Sequence, residues 1–133
     1  MTGLSSFALQ AAIHARLSGD ADLMEAVNGV FDHVPKSAAL PYLLLGAVTA
    51  VPWSSKTFSG QRHRLTVSVF SEAKGDREIK MLADLVHGLL DRAAFPLEGH
   101  RLVALDFETL QTLRDPDGVR QAQLRFAALT HPL

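Results

Sequence analysis

Residues 101–130 read RLVALDFETLQTLRDPDGVRQAQLRFAALT. Their centre, Asp115-Pro116-Asp117-Gly118, is a turn by its chemistry. Pro116 brings the fixed φ of the second position of a type I turn, and Gly118 brings the left-handed exit. One strand is therefore expected from about Arg101 to Leu113 and its partner from Val119 to Thr130. A three-residue loop would pair Asp115 with Val119 and put Phe107 and Phe126 on opposite faces. A four-residue loop pairs Arg114 with Val119, sets Phe107 opposite Phe126 and sets Glu108 opposite Arg125. A slip of one residue inverts every side chain, so the register that gathers the aromatics and opposes the charges is favoured. Strands joined this tightly run antiparallel.

Upstream, Ile79, Leu82, Ala83, Val86, Leu89 and Leu90 recur at helical spacing after Gly75-Asp76. Lys80, Asp84, His87 and Asp91 fall on the other side, so the helix lays one face on a sheet. Pro96 closes the region. Leu65, Val67 and Val69 alternate with Thr66 and Ser68 as a half-buried strand. Pro41 to Trp53 reads as a long strand, bent near Gly46, in which Tyr42, Leu44 and Val48 alternate with Leu43, Leu45 and Val51. Both faces are apolar, which suits a central strand or a face turned to another subunit. Ser54 to Gly60 reads as a polar loop.

At the start, Ser5 or Ser6 caps a helix to about Leu17, with Leu9, Ile13 and Leu17 on one stripe. Asp20 caps a shorter helix, Ala21 to Val27, closed by Asn28-Gly29 as a left-handed cap. Val30 to Val34 is a short extended piece stopped by Pro35. The expectation is an α+β fold: a mostly antiparallel sheet, an N-terminal helix, one long amphipathic helix packed on the sheet, and a C-terminal β-hairpin. Residues 1–133 form one domain.

Composition narrows the function. The 133 residues include 47% hydrophobic and 20% charged residues and no cysteine, which excludes disulfides and thiolate chemistry. Thirteen Lys and Arg against fourteen Asp and Glu leave a net charge of −1, whereas a general nucleic-acid binder depends on net positive charge. No apolar run reaches the length of a membrane span, and no secretory leader is recognisable.

A search for chemistry returns little. The six histidines, His14, His33, His63, His87, His100 and His131, have no metal-site spacing, and His63 is flanked by Arg62 and Arg64. No metal or cofactor is expected. Asp106 and Glu108 share a strand face but read as a solvated pair beside Arg125. The glycines form no phosphate loop and the serines no nucleophile elbow. No catalytic residue is assigned.

One stretch differs. Trp53 to Arg64, WSSKTFSGQRHR, holds the only Trp, Phe58, and the cations Lys56, Arg62 and Arg64 with no acid. Trp53 packing over the sheet edge is one reading and a partner-binding loop is the other, since Trp and Arg anchor interfaces. Contact of this local basic cluster with passing DNA ranks third.

Several pieces in order carry a resemblance: Ala8-Leu9-Gln10-Ala11-Ala12-Ile13; Val30-Phe31-Asp32-His33-Val34-Pro35; Leu40-Pro41-Tyr42; Trp53-Ser54-Ser55-Lys56-Thr57; Leu65 to Ser71; Gly75 and Glu78; and Leu113 to Gly118 leading to Leu124-Arg125-Phe126. Along nearly its whole length the chain resembles the tail-completion, or tail-terminator, proteins of long-tailed phages and gene transfer agents. The resemblance implies a structural subunit, typically in a hexameric ring, that caps the head-proximal end of the tail tube. There it stops tube polymerisation and offers the surface for joining the head. Implied partners are copies of itself, the tail tube protein and a head–tail connector protein. DNA is only cargo in the lumen, and no membrane is involved. The implied location is the host cytoplasm during assembly and then the tail–head junction. For assembly contacts, loop position and residue type single out Trp53, Lys56, Phe58, Arg62 and Arg64, then the turn Asp115, Pro116, Asp117 and Gly118. The rival readings are a head-side connector or minor tail subunit, and, from another class, a small ligand-binding α+β domain or a His/Asp hydrolase.

Overall fold

The computed structural model describes residues 4–54, 56, 57 and 59–133. Helices α1 (Ser6–Ser18), α2 (Ala21–Ala26) and α3 (Arg77–Leu90) accompany strands β1 (Val30–Phe31), β2 (Tyr42–Ser54), β3 (Ser59–Ser71), β4 (His100–Arg114) and β5 (Arg120–Pro132). The strands form one sheet in the order β1-β2-β3-β5-β4. Only β1 runs parallel to its neighbour, so the sheet is mixed but mostly antiparallel. This is the expected α+β architecture.

The helices cover one face. Leu9, Ile13 and Leu17 of α1 and Ile79, Leu82, Ala83, Val86 and Leu90 of α3 are buried against it, and Leu89 is half-buried. The sheet meets them with Leu43, Leu45, Leu65, Val67, Val69, Leu124 and Phe126. Local chemistry fixes the boundaries. Asp20 caps α2, its Oδ2 accepting from Leu23 N at 2.9 Å. That helix does not end in a left-handed Gly29, because Val27 is already extended. Asn28 instead ties the chain to the next segment, donating from its backbone to Pro41 O at 2.8 Å and from its side chain to the carbonyls of Ala39 and Leu40. The extended piece after it pairs only at Val30 and Phe31.

The bend at Gly46 is a β-bulge. Leu45 lies opposite Val67 and Val48 opposite Leu65, so Gly46 and Ala47 share one position on β3. Two residues against one reverses the facing of everything beyond. Val48 therefore joins Leu43 and Leu45 under the helices, while Val51 joins Tyr42 and Leu44 on the open face. That is the opposite of uninterrupted alternation. The polar loop is also shorter than expected, since Ser54 and Ser59 already pair, and β3 extends well ahead of Leu65.

The hairpin combines both readings of its register. At the tip Asp115 N donates to Val119 O at 3.0 Å, and Gly118 N donates to Asp115 O at 3.1 Å. Gly118 has φ +89, so the three-residue loop is the one formed. Further along, a bulge between Phe107 and Thr109 restores Phe107 to a place opposite Phe126. Their rings meet edge to face at 5.8 Å. Glu108 is the extra residue and does not oppose Arg125, which pairs with Thr109. His87 lies on the polar side with Asp91, its Nε2 3.5 Å from that carboxylate, and its ring also meets that of Phe107 at 4.8 Å.

Candidate functional site

Strand alternation sorts the singled-out residues by face. Arg62 and Arg64 lie within β3, not in a loop, and point to the face without helices. Val51 and Trp53 of β2 stand opposite Arg62 and Gly60, so Trp53 shares that face. Lys56 is exposed in the connection between the strands. Phe58 lies outside the described residues. The structure thus brings Trp53, Arg62 and Arg64 together at one end of the open face, with Lys56 at the tip.

Trp53 is half-buried. A Cβ placed on Gly60 would sit 2.8 Å from Trp53 Cε3, so the indole lies against the glycine and packs on the sheet. The cations have mixed company. Arg64 Nε is 3.7 Å from Glu108 Oε1, an exposed pair worth at most about 1 kcal/mol. Glu108 reaches Arg64 because the bulge at position 108 turns it onto this face, where Asp106 also lies. Arg64, Arg125, Glu108, Thr49, Thr66 and Thr109 line a shallow groove of about 640 Å³. Two cations and one acid share it, a mixture that suits contact with another protein surface better than an unbroken field for a polyanion.

The Asp115–Gly118 turn is fully exposed at the far end of the hairpin. Asp115 Oδ1 accepts from the backbone of Asp117 and Val119 at 3.0 Å each. The Asp115 carboxylate thereby ties the tip together from within. Among the described residues, no three His, Asp or Glu side chains converge as a metal site.

Two features escaped the sequence reading. His63 is fully buried on the helix side of β3 while its arginine neighbours face the other way. Its Nε2 lies 2.9 Å from Ser5 Oγ and 3.1 Å from Thr130 Oγ1. Burial, then the nearby His100, holds its pKa below the ordinary 6.5. The signal was present in the alternation: if Leu65 and Val67 face the core, His63 does too. The second feature is an apolar groove of about 880 Å³ between α1 and residues 96–100. Leu4 and Phe7 border it, 70% and 87% exposed. Phe7 stands about 200° around the helix from Leu9, and that off-stripe position was its only trace in the sequence.

A family described as tail completion protein gp17 matches residues 11–131. The chain belongs to the gp17 tail completion family. It is similar to the tail completion protein gp17 of Bacillus phage SPP1, with 28% identity over 116 residues, 87% of this chain and 86% of the other. Among solved structures it is similar to a chain of the virion of a native gene transfer agent particle. That match has a TM-score of 0.89 and 32% identity over 96% of this chain and 97% of the other. The gp17 tail completion family is one of structural particle proteins, and the residues gathered on the open face are of the kind that make contacts.

Proposed function

We propose that this gp17-family chain assembles as a ring on the head-proximal end of the tail tube, stops its polymerisation and provides the joining surface for the head. The observation that carries the reading is the near full-length similarity to a chain within a gene transfer agent virion. A ring needs heterologous contacts, in which one patch meets a different patch on the next copy. In this reading residues 1–133 act as one domain, and Trp53, Lys56, Phe58, Arg62 and Arg64 belong to one contact surface. The projecting turn Asp115–Gly118 belongs to a second. The partners are copies of the chain, the tail tube protein and the connector on the head, with DNA passing through as cargo. Assembly takes place in the host cytoplasm, and the ring ends at the tail–head junction without catalysing a reaction.

Electron microscopy of purified tail tubes mixed with the chain tests this directly. Rings at one end of the tubes are expected, and tubes left uncapped, or rings on free heads alone, would favour the connector reading. Arg62 and Arg64 are exposed, so Arg62→Ala with Arg64→Ala should leave the thermal midpoint within about 2 °C of wild type, as surface changes do. The same variant should cap several-fold fewer tubes. Undiminished capping and particle yield would remove these two residues from the contact surface.

A further inference from the structure

The first turn of α1 is fastened to the sheet by an unusual set of groups. Ser5 precedes the helix, but its side chain makes no capping hydrogen bond. It points down instead, with Oγ 3.0 Å from Gln61 Oε1, 2.9 Å from His63 Nε2 and 2.7 Å from Thr130 Oγ1. Ser5 N also donates to Gln61 Oε1 at 3.0 Å. A backbone N–H can only donate, which fixes that amide oxygen as an acceptor. The Ser5 hydroxyl hydrogen then belongs on Gln61, because two bare oxygens at 3.0 Å would repel. Ser5 Oγ is left to accept from Thr130 and from His63 Nε2–H. That assignment leaves His63 Nδ1 bare, and Nδ1 is a buried atom with no hydrogen-bond partner.

His100 repeats the arrangement. Its Nδ1 lies 3.1 Å from the carbonyl oxygen of Glu98 and donates to it. Its Nε2 is bare, buried and unpartnered. The His63 ring is thus seated in its neutral form. A second proton on His63 would have to enter at Nδ1, where nothing accepts it, and the charge would be buried.

We propose that Ser5, Gln61, His63, Thr130 and His100 form an acid-sensitive latch, which pins the first turn of α1 while His63 is neutral and releases it when His63 is protonated. Among the described residues, no acidic neighbour compensates the charge. From α1 the ring meets the Ser5 hydroxyl, from β5 that of Thr130, and from β3 the Gln61 side chain. Arg62, Arg64 and His131 lie on the other face of the sheet. From β4 comes only His100, whose proximity further disfavours a charged His63. Glu98 engages His100 through its backbone carbonyl. Release is local, because Leu9, Ile13 and Leu17 anchor the rest of the helix in the core. What moves is the turn carrying Leu4 and Phe7, so the apolar groove they border becomes a surface whose shape depends on pH.

The sign follows from linkage. A histidine whose folded pKa is lowered contributes its full stability above 6.5. As pH falls below 6.5 the latched state is disfavoured by up to tenfold per unit, until the folded-state pKa is reached. The inference does not depend on ring formation and is tested on the isolated full chain.

The experiment is a ring-proton NMR titration of His63 with amide hydrogen exchange, from pH 7.5 to 5.0. His63 should titrate below 6.5. Protection of the Leu9 and Gln10 amides, corrected for intrinsic exchange, should fall severalfold by pH 5.0, and by no more than about thirtyfold over the 1.5 units below 6.5, while Val67 and Val86 keep theirs. His63→Gln, whose amide can donate to Ser5 but cannot titrate, should abolish the pH dependence at Leu9 and Gln10. Titration at or above 6.5, loss of core protection in step with α1, or an unchanged profile in the glutamine variant would each overturn the latch. Should that variant fail to fold, the wild-type titration and exchange decide the matter alone.

Discussion

A Cβ added to Gly60 would stand 2.4 Å from the carbonyl oxygen of Trp53 and 2.6 Å from that of Thr130. Both atoms are backbone, one from each strand flanking β3, so relief requires parting the sheet on both sides. Gly60→Ala is expected to destabilise the fold by about 2–3 kcal/mol, the cost of a forced backbone shift. Chemical denaturation checks this, and a midpoint equal to wild type would mean that the strands give way freely. The same close approach explains why Trp53 is half-buried while it shares the face of Arg62 and Arg64. In the sequence Gly60 was a loop glycine and His63 a residue between two cations. Alternation with Leu65 and Val67 could place His63 on the core face. The partners of neither residue could be read before the position of the hairpin was known, because Thr130 and Ser5 lie about seventy and sixty positions away along the chain.

The last hairpin shows which features of an element are local. The turn was legible because Asp115, Pro116 and Gly118 each act within four residues. The pairing of Phe107 with Phe126 was legible because burial of aromatics selects it. The bulge that reconciles the two was not, since an extra residue at position 108 leaves no signature except the conflict between tip and middle. The bulge at Gly46 escaped for the same reason, although its glycine marked the bend. An α3 of fourteen residues, with a strong apolar stripe, needed no such arbitration. A double-mutant cycle on Phe107→Leu and Phe126→Leu tests the observed register. Edge-to-face rings should couple by about 0.5–1.5 kcal/mol, whereas the three-residue loop carried on without a bulge would place them on opposite faces with coupling near zero.

Across the whole molecule the decisive asymmetry is that helices cover one face of the sheet and leave the other open. The sequence indicated two apolar faces on β2, and the structure divides them unequally. Leu43 is wholly buried while its neighbour Leu44 is half-buried. Beyond the bulge, Val48 packs on the core while Val51 is 53% exposed. Four positions on one strand therefore measure both the one-sided core and the bulge. Leu43→Ala should cost about 2–5 kcal/mol, because it opens a cavity under the helices. Leu44→Ala should cost about 1 kcal/mol, since much of its surface already meets water. Val48→Ala should in turn exceed Val51→Ala, reversing the order that strict alternation from Leu43 would give. Equilibrium unfolding of the four variants decides it. Equal losses at Leu43 and Leu44 would require a second covered face in the isolated chain. Equal losses at Val48 and Val51 would remove the bulge. If instead Leu44→Ala is mild in the isolated chain but lowers particle yield, the open face is what the assembled particle covers. The apolar excess on β2 would then belong to assembly, because the core of the isolated chain does not use it.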